Sequence, residues 1–424
     1  MKETKNRAGR DIIVVGFALF SMFFGAGNVI FPPYLGMESG PAWLAGFSAY
    51  FIADIGLALA AMFALLRVGS SEAVLQRVGC VPSEILMCAI ILCVGPMVAI
   101  PRTSASTFEM AIAPNLPGVS AVVFSVLFFA LILALCIRES AVVDIVGKVL
   151  TPLLLLGLAA IIVKGIVTPL GTIAPEALID SAVVTGVKAG YQTMDALAAL
   201  NFGAVIAMNI RAQGVAREQD VQRSAIRAGL VAGGLLLAVY AMLGHAGALT
   251  GAAVPGLATG AEVLTVLAER LFGKAGLVLL AAIFMLACFN TCVGLIACVG
   301  EYFHTLLPRI PYPALAAFFA AASMLIANLG LAEILRLSIP VLNALYPVAI
   351  VLIALSFVPG LEQRRRVYPL CIGCTAVQSI AAALPLGPLS ALANALPLAA
   401  LGFGWVLPAV VGLLAGILLS CTEK

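Results

Sequence analysis

Residues 11–36 read DIIVVGFALFSMFFGAGNVIFPPYLG. Apart from its first residue this stretch carries no charge, and it is long enough to cross a bilayer core of about 30 Å as a helix. Gly25, Gly27 and Asn28 interrupt it near its centre, where each glycine costs a helix about 1 kcal/mol. Backbone that leaves the helix inside lipid must find internal partners or line a cavity, which favours a broken helix at a binding site. The alternative is that the glycines only allow close helix packing.

The composition of the whole chain indicates a polytopic membrane protein. Of its 424 residues 63% are hydrophobic and 10% are charged, and the mean hydropathy is +1.15, whereas soluble domains carry about 25% charged residues. The basic residues 1–10 precede the first apolar run without a small-residue cleavage site after it, so we expect a retained span rather than a signal peptide. The net charge of +3 does not indicate nucleic acid, and we expect contact with membrane lipid but no nucleic-acid partner and no obligatory protein partner.

Apolar segments of helical length recur along the chain and predict twelve transmembrane helices. They lie near residues 11–31, 41–66, 84–101, 119–137, 141–163, 182–209, 224–248, 274–301, 313–330, 334–358, 367–386 and 397–420.

The distribution of basic residues tests this arrangement, because cytoplasmic loops carry an excess of Lys and Arg. With the N-terminus in the cytoplasm, most of the 23 basic residues fall on the inner side. Those on the outer side are Arg102, Lys164, Lys188, Arg270, Lys274 and Arg336. The excess supports both the helix count and cytoplasmic N- and C-termini.

Five helices are an odd number, so a second set of five would enter the membrane from the opposite side as an inverted repeat. Such a repeat predicts a second broken helix at the start of the second half, and residues 186–203, GVKAGYQTMDALAALNFG, supply it. The predicted units are a cytoplasmic N-terminus (1–10), a first repeat of helices 1–5 (11–163), a second repeat of helices 6–10 (182–358), helices 11 and 12 (367–420) and a cytoplasmic C-terminus (421–424).

Four separated motifs resemble the bacterial branched-chain amino acid:cation symporter family, the BrnQ-type carriers. The first is FGAGNVIFPP at residues 24–33, and the second combines Gly95-Pro96 with AIPRT at residues 99–103. The third is GYQTMD at residues 190–195, and the fourth combines SIPVL at residues 338–342 with Tyr346-Pro347. The resemblance runs from about residue 11 to the end of predicted helix 12.

This resemblance implies a fold and an activity. The fold is all-α, with the five-plus-five inverted repeat of leucine-transporter-type carriers, broken helices 1 and 6, and two additional C-terminal helices. The activity is uptake of leucine, isoleucine and valine across the bacterial cytoplasmic (inner) membrane, coupled to Na⁺ or in some members to H⁺, without another cofactor.

Binding a zwitterionic amino acid requires partners of opposite charge at both of its ends. The outer half of helix 1 can direct backbone N–H groups and a positive dipole end at the carboxylate. The carbonyls of the helix 6 break can accept from the ammonium group, and Asp195 can add a negative charge, although it could instead hold the two breaks together as a structural hydrogen bond. The predicted substrate-binding residues at the breaks are Gly25, Ala26, Gly27, Asn28, Tyr191, Gln192, Thr193, Met194 and Asp195.

The aliphatic side chain of the substrate requires an apolar pocket. Residues of suitable chemistry near the breaks are Met22, Phe23, Ile100, Met194 and Leu197. Because such a pocket discriminates one methylene by only about 1–3 kcal/mol, shared transport of the three branched-chain amino acids is expected.

The fold that the resemblance implies places one Na⁺ between the helix 1 break and helix 8. Carried over by position, the ligands are backbone oxygens of Ser21 and Phe24, a backbone oxygen near Ala287 and the hydroxyl of Thr291, with Asn290 beside it. The alternative for Thr291 is a hydroxyl bonded back to its own helix.

Three further ionisable residues are candidates for gating or coupling. Asp54 lies near the middle of predicted helix 2. It could be a proton site, a partner of Lys148 or a residue that lines a water-filled cavity. Arg102 and Glu109 follow the prolines of predicted helix 3, toward the outside, where they could form an external gate or vestibule.

Other classes of protein fit the sequence less well. There is no HExxH metal motif, neither histidine lies near a GxSxG nucleophile motif, and no channel filter sequence occurs, so we expect no enzyme activity. Two rivals remain among transporters: an H⁺-coupled symporter of the same substrates and a Na⁺ symporter of other small neutral amino acids.

Overall fold

The computed structural model describes residues 12, 15–17, 19–20, 23–69, 71–137, 156–157, 159–161, 163–165, 167–168, 171–200, 210, 217–251 and 256–421. In these ranges all regular secondary structure is helical. The α-helices are α1 (Ala26–Ser39), α2 (Trp43–Phe51), α3 (Leu57–Val68), α4 (Ser71–Leu75), α5 (Cys80–Leu92), α6 (Ala99–Thr107), α7 (Ala121–Ile137), α8 (Ala182–Thr193), α9 (Glu218–Thr250), α10 (Gly260–Phe272), α11 (Lys274–Leu306), α12 (Tyr312–Ala327), α13 (Leu331–Phe357), α14 (Val367–Ala383), α15 (Pro388–Asn394) and α16 (Val406–Cys421). Further helical residues lie between 12 and 23, between 156 and 167 and at 195–200.

The helices define a multi-pass membrane protein. Within the described ranges, Gly27–Val68, Cys80–Ile112, Gln219–Thr250, Lys274–Leu306 and Leu331–Phe357 are long and apolar enough to cross a bilayer, and α14 with α15 forms a sixth candidate bent by 110°. The shorter helices α7, α12 and α16 are also apolar. Parts of predicted helices 1, 5 and 6 fall outside the described residues, so the count of twelve stays a prediction.

Helix 1 is broken, as the sequence predicts. Phe24 and Gly25 lie outside the helical conformation, and α1 begins at Ala26 after an extended Gly25 (φ −103°, ψ 171°). Helix 6 is also broken. Its first part, α8, ends at Met194, whose backbone is left-handed (φ 69°), and helical residues resume at Asp195.

Glycines bring the two broken helices close to their neighbours. Gly36 of α1 packs against the backbone of Gly244 on α9, and Gly190 of α8 packs against the backbone of helix 2 at Tyr50. A Cβ at Gly190 would lie 2.8 Å from the Cβ of Ala53. Close packing and a broken helix therefore occur together in this fold, at different glycines.

Two sequence predictions of helix boundaries are wrong. Predicted helix 3 (84–101) does not end at residue 101 or continue as an irregular polar stretch; it is helical to Ile112, because the chain kinks at Gly95 (φ −103°, ψ −119°) and regains helical geometry as α6. Predicted helix 12 begins at Val406 rather than residue 397, because Leu398 and Gly402 have positive φ angles of 66° and 81°. The amphipathic helix α10 was not predicted; Thr259 caps it by accepting from the Glu262 N–H at 3.3 Å.

Candidate functional site

A cavity of about 70 Å³ lies between the two helix breaks, large enough for a few water molecules. The predicted residues that line it are Phe23, Gly25, Gly27, Asn28, Arg102, Thr193, Met194, Asp195 and Thr291. Both broken helices, and the helix predicted to hold the ion, therefore contribute to one cavity wall.

A hydrogen bond between buried side chains joins the breaks. Asn28 Nδ2 donates to the backbone oxygen of Phe23 at 2.7 Å and to Asp195 Oδ2. The amide thus uses both hydrogens, one within helix 1 and one toward helix 6. The N-terminal end of α1 lies at the same place, and the N–H groups of a helix's first turn have no acceptors within the helix. This end of the cavity is suited to a negatively charged group.

Arg102 lies inside the bundle rather than on the outer side, where the sequence analysis placed it. Its side chain is 3% exposed, and its Nη1 and Nη2 donate to the backbone oxygens of Gln192 and Thr193, the second at 3.4 Å. The guanidinium carbon stands 5.6 Å from the ring centroid of Phe31, a cation–π distance. Two of the carbonyls predicted for the substrate ammonium therefore accept from an arginine of the protein.

Gly27 is required where the chain passes Arg102. A Cβ at this position would lie 2.6 Å from Arg102 Nη2 and 3.1 Å from its Cζ. The glycine that interrupts helix 1 in the sequence therefore leaves the space that the guanidinium fills.

Asp54 is fully buried, in a π-helical turn (Ile52–Gly56) of helix 2. Its Oδ1 lies 2.7 Å from Thr193 Oγ1, which in turn lies 2.6 Å from the backbone oxygen of Gly190. Its Oδ2 is buried without a hydrogen-bond partner among the described residues, as are the hydroxyls of Tyr50 and Tyr240. Lys148, one of its predicted partners, lies outside the described residues.

The remaining predicted substrate residues lie elsewhere. Tyr191 stacks on Tyr346 with ring centroids 4.6 Å apart, and Gln192 Oε1 is 2.8 Å from Ser338 Oγ. Ile100 belongs to a separate apolar cluster with Phe128. Leu197 is a buried core residue, and neither is among the residues that line the cavity. Met22 and the side chain of Ala26 lie outside the described residues.

The predicted Na⁺ ligands are only partly described. Ser21 and the side chain of Asn290 lie outside the described residues, and Phe24 stands in the non-helical break. Thr291 Oγ1 donates to the backbone oxygen of Ala287 at 3.0 Å, which is the back-bonded alternative. The same hydroxyl lines the cavity, and a hydroxyl that donates its hydrogen keeps two lone pairs for a cation.

Glu109 lies at the far end of the helix 3 extension, in the π-helical turn Phe108–Ile112. Its Oε1 accepts from the N–H of Leu331 at 3.3 Å and so caps the start of α13. It is not one of the residues that line the cavity.

Sequence reasoning missed some of the cavity wall. Helix 3 contributes Val94, Ala99 and Thr103, and Ala198 and Leu295 complete the lining. The kink at Gly95 and Pro96 was the available signal, since it opens helix 3 beside the other two breaks.

Solved structures of membrane transporters resemble this fold over nearly the whole chain. Mhp1, described as a nucleobase-cation-symport-1 family transporter, was solved in a closed conformation with bromovinylhydantoin bound; it aligns with a TM-score of 0.65 and 14% identity over 96% of this chain and 91% of its own. A manganese transporter of Eremococcus coleocola aligns with a TM-score of 0.52 and 13% identity over 96% of both chains. The fold is therefore that of the leucine-transporter-type carriers.

The family is defined by sequence. A family model described as "Branched-chain amino acid transport protein" matches residues 8–423. The branched-chain amino acid permease BraB of Bacillus subtilis is 37% identical over 97% of this chain and 96% of its own. The branched-chain amino acid transport system 3 carrier protein of Pseudomonas aeruginosa is 39% identical over 96% and 95%. The chain belongs to the branched-chain amino acid transport protein family, and it is a transporter and not an enzyme.

Proposed function

We propose that this protein imports leucine, isoleucine and valine across the bacterial cytoplasmic membrane by Na⁺ symport and alternating access, with both termini in the cytoplasm. The observation that carries the proposal is the cavity between the two helix breaks, with the N-terminal end of α1 on one side and a buried carboxylate on the other. The names of the relatives, which refer to branched-chain amino acids, support the substrate class.

One orientation of the zwitterion matches the charges around this cavity, which would have to widen to admit the whole substrate. The substrate carboxylate faces the first-turn N–H groups of α1, where the helix dipole is positive. The ammonium group faces Asp195, since the Gln192 and Thr193 carbonyls accept from Arg102 and the Met194 carbonyl accepts from the Ala198 N–H at 2.9 Å. Each charge of the substrate then meets an opposite charge, which offsets the cost of its burial.

The apolar part of the cavity wall suits an aliphatic side chain. Phe23, Met194, Val94, Ala99 and Leu295 line it. Such a wall has little means of separating substrates that differ by one methylene, which supports shared transport of the three amino acids.

Na⁺ would bind between the helix 1 break and α11. The Thr291 hydroxyl and the backbone oxygen of Ala287 are adjacent there, and oxygen ligands suit a hard cation. One charge moved down about 100 mV supplies ~2.3 kcal/mol, which corresponds to roughly fifty-fold accumulation before any Na⁺ concentration gradient is added.

The test is leucine uptake into proteoliposomes, with an inward Na⁺ gradient compared with an inward H⁺ gradient at matched membrane potential. We expect accumulation with Na⁺, competition by isoleucine and valine, and little competition by alanine. Thr291→Val should abolish the Na⁺ dependence. The matched control is Thr265→Val, because Thr265 Oγ1 makes the same back bond, to Ala261 at 2.9 Å, on α10.

Coupling to H⁺ is the second candidate, and the buried Asp54 beside the helix 6 break favours it. In that case the H⁺ gradient alone would drive uptake and Thr291→Val would leave it unchanged. Competition by alanine as strong as by isoleucine would instead contradict the substrate class. Absence of leucine uptake under both gradients would also contradict the substrate class.

A further inference from the structure

The hydroxyl of Thr193 has two close oxygen neighbours and a single hydrogen. Its Oγ1 is 2.6 Å from the backbone oxygen of Gly190 and 2.7 Å from Asp54 Oδ1. Both distances are typical of full O–H···O hydrogen bonds. A carbonyl oxygen can only accept, so a second hydrogen is needed if both contacts are hydrogen bonds.

Other hydroxyls of this fold indicate where the hydrogen of Thr193 goes. Thr250 donates to the carbonyl three residues earlier, Gly247, at 2.6 Å, and Ser338 does the same to Leu335 at 2.7 Å. If Thr193 follows the same pattern, its O–H donates to Gly190, and the contact with Asp54 needs a hydrogen from the carboxyl.

Ser338 offers an instructive parallel, because it also has a second neighbour, Gln192 Oε1, at 2.8 Å. That contact gains a hydrogen when the Gln192 amide is turned to present its NH₂ group. A carboxyl group has no such alternative. It can donate to a hydroxyl only when it is protonated.

We propose that Asp54 is a proton-binding site of this transporter. In the conformation described, its carboxyl O–H donates to Thr193 Oγ1, whose own O–H donates to Gly190. This chain of hydrogen bonds ties helix 2 to the last turn of α8, directly before the left-handed Met194.

The charges around Asp54 agree with a bound proton. The charged and titratable groups that face it are Tyr50 on α2, Arg102 on α6, Asp195 beyond the helix 6 break, Tyr240 on α9 and Tyr346 on α13. Two ionised carboxylates against one guanidinium would leave a net negative charge in the membrane interior, which is costly. One proton makes the group neutral.

Asp54 is the better site for this proton than Asp195. Asn28 Nδ2 donates to Asp195 Oδ2, and an amide donor stabilises the ionised form of a carboxyl. Asp54 receives no amide donor: its Oδ1 contacts the Thr193 hydroxyl, and its other polar neighbours are the Tyr50 hydroxyl and the Asp195 carboxyl. A proton on Asp54 therefore also removes the repulsion between two facing carboxylates.

Loss of the proton would change the helix 6 break. When the Asp54 O–H bond breaks and the proton leaves to water, the carboxylate needs a donor. The Thr193 hydroxyl then turns from Gly190 to Asp54, and the last turn of α8 loses one hydrogen bond. Since Thr193 lines the cavity, proton occupancy and substrate occupancy act on the same segment. This consequence, unlike the proton site itself, rests on the proposed function.

Infrared spectroscopy of the purified protein tests the site without any substrate. The wild-type protein should show the C=O stretch of a protonated carboxyl at neutral pH, and the band should disappear as the pH rises. Asp54→Asn should abolish the band, and Thr193→Val should shift it, because the acceptor is lost. Thr250→Val, which removes an equivalent back-bonded hydroxyl, should leave it unchanged. A band that persists in Asp54→Asn, or that does not respond to Thr193→Val, would overturn the proposal.

Leucine binding at saturating Na⁺ tests the coupling. The wild-type affinity should fall with rising pH, by about tenfold per pH unit once the carboxyl is mostly ionised. Asp54→Asn should bind with little pH dependence, because its amide can donate to Thr193 at every pH. An unchanged pH profile in this variant would contradict the coupling. If the wild-type protein bound no leucine while the infrared band behaved as expected, the substrate assignment would fail and the proton site would stand.

Discussion

The two helix breaks use opposite means to leave the helical conformation. At helix 1 a glycine provides the extended backbone, and the N-terminal end of α1 faces the cavity. At helix 6 a methionine adopts the left-handed conformation, and the carbonyls before it already accept from Arg102. One break is therefore open to a ligand, while the other is capped by the protein's own cation. In the proposed orientation of the substrate, the end of the cavity that faces the carboxylate is therefore formed by backbone, whereas the end that faces the ammonium group depends on side chains.

The largest effect should come from removal of the cap on helix 6. Arg102→Met keeps much of the side-chain length but leaves two carbonyls and the nearby carboxyls without their cation. We expect a loss of about 3–5 kcal/mol in the free energy of unfolding, together with loss of uptake. Thermal unfolding of the purified protein in detergent measures the loss of stability.

The matched control for this change is Arg336→Met, since Arg336 forms an exposed ion pair with Glu333 at 3.4 Å. Exposed pairs contribute at most about 1 kcal/mol. Equal unfolding temperatures for the two variants would mean that Arg102 does not support the helix 6 break.

A smaller effect should follow from Asp195→Asn. The change keeps an acceptor for Asn28 and removes the negative charge, so it separates the two roles that the sequence leaves open for this residue. We expect leucine affinity to fall about a hundredfold, or ~3 kcal/mol, with little change in unfolding temperature.

Radioligand binding measures this loss, with the exposed Asp180→Asn as control. If the Asp195→Asn variant binds leucine with wild-type affinity, Asp195 only supports the structure. The substrate ammonium group would then need another partner.

The smallest effect concerns the open break. Gly27→Ala places a methyl group 2.6 Å from Arg102 Nη2, so the guanidinium must shift away from its present contacts. We expect leucine affinity to fall about tenfold, or ~1.4 kcal/mol, measured in the same binding assay. Gly234→Ala is the control, because a Cβ at that helical position has no neighbour within 4 Å. Equal affinities would show that the space at Gly27 does not matter.

These two breaks were predictable to different degrees. Gly25, Gly27 and Asn28 indicate the helix 1 break because glycine is unfavourable in helix interiors. The inverted repeat then predicts a second broken helix at the corresponding position, helix 6. Met194 gives no such signal, since nothing about methionine favours a positive φ angle.

The positions of Arg102 and Asp54 in the bundle could not be predicted for a different reason. Apolar composition stops near Pro101, so the polar residues that follow were assigned to the outer side, although Arg102–Thr107 are buried against protein rather than lipid. The contact of Asp54 with Thr193 joins residues 139 positions apart, and its existence depends on how helix 2 packs against α8. Periodicity and composition describe single segments and carry no information on such pairs.

The glycine contacts between helices have a mechanical consequence. Where Gly36 of α1 meets Gly244 of α9, and where Gly186 of α8 meets Gly46 of α2, backbone touches backbone with no side chain between them. No side chain at such a contact can change its rotamer to make room. The two helices must therefore move apart before one can slide along the other. Each pair therefore resists sliding, and we expect a rearrangement that opens the cavity to occur at contacts made by side chains rather than at these glycines.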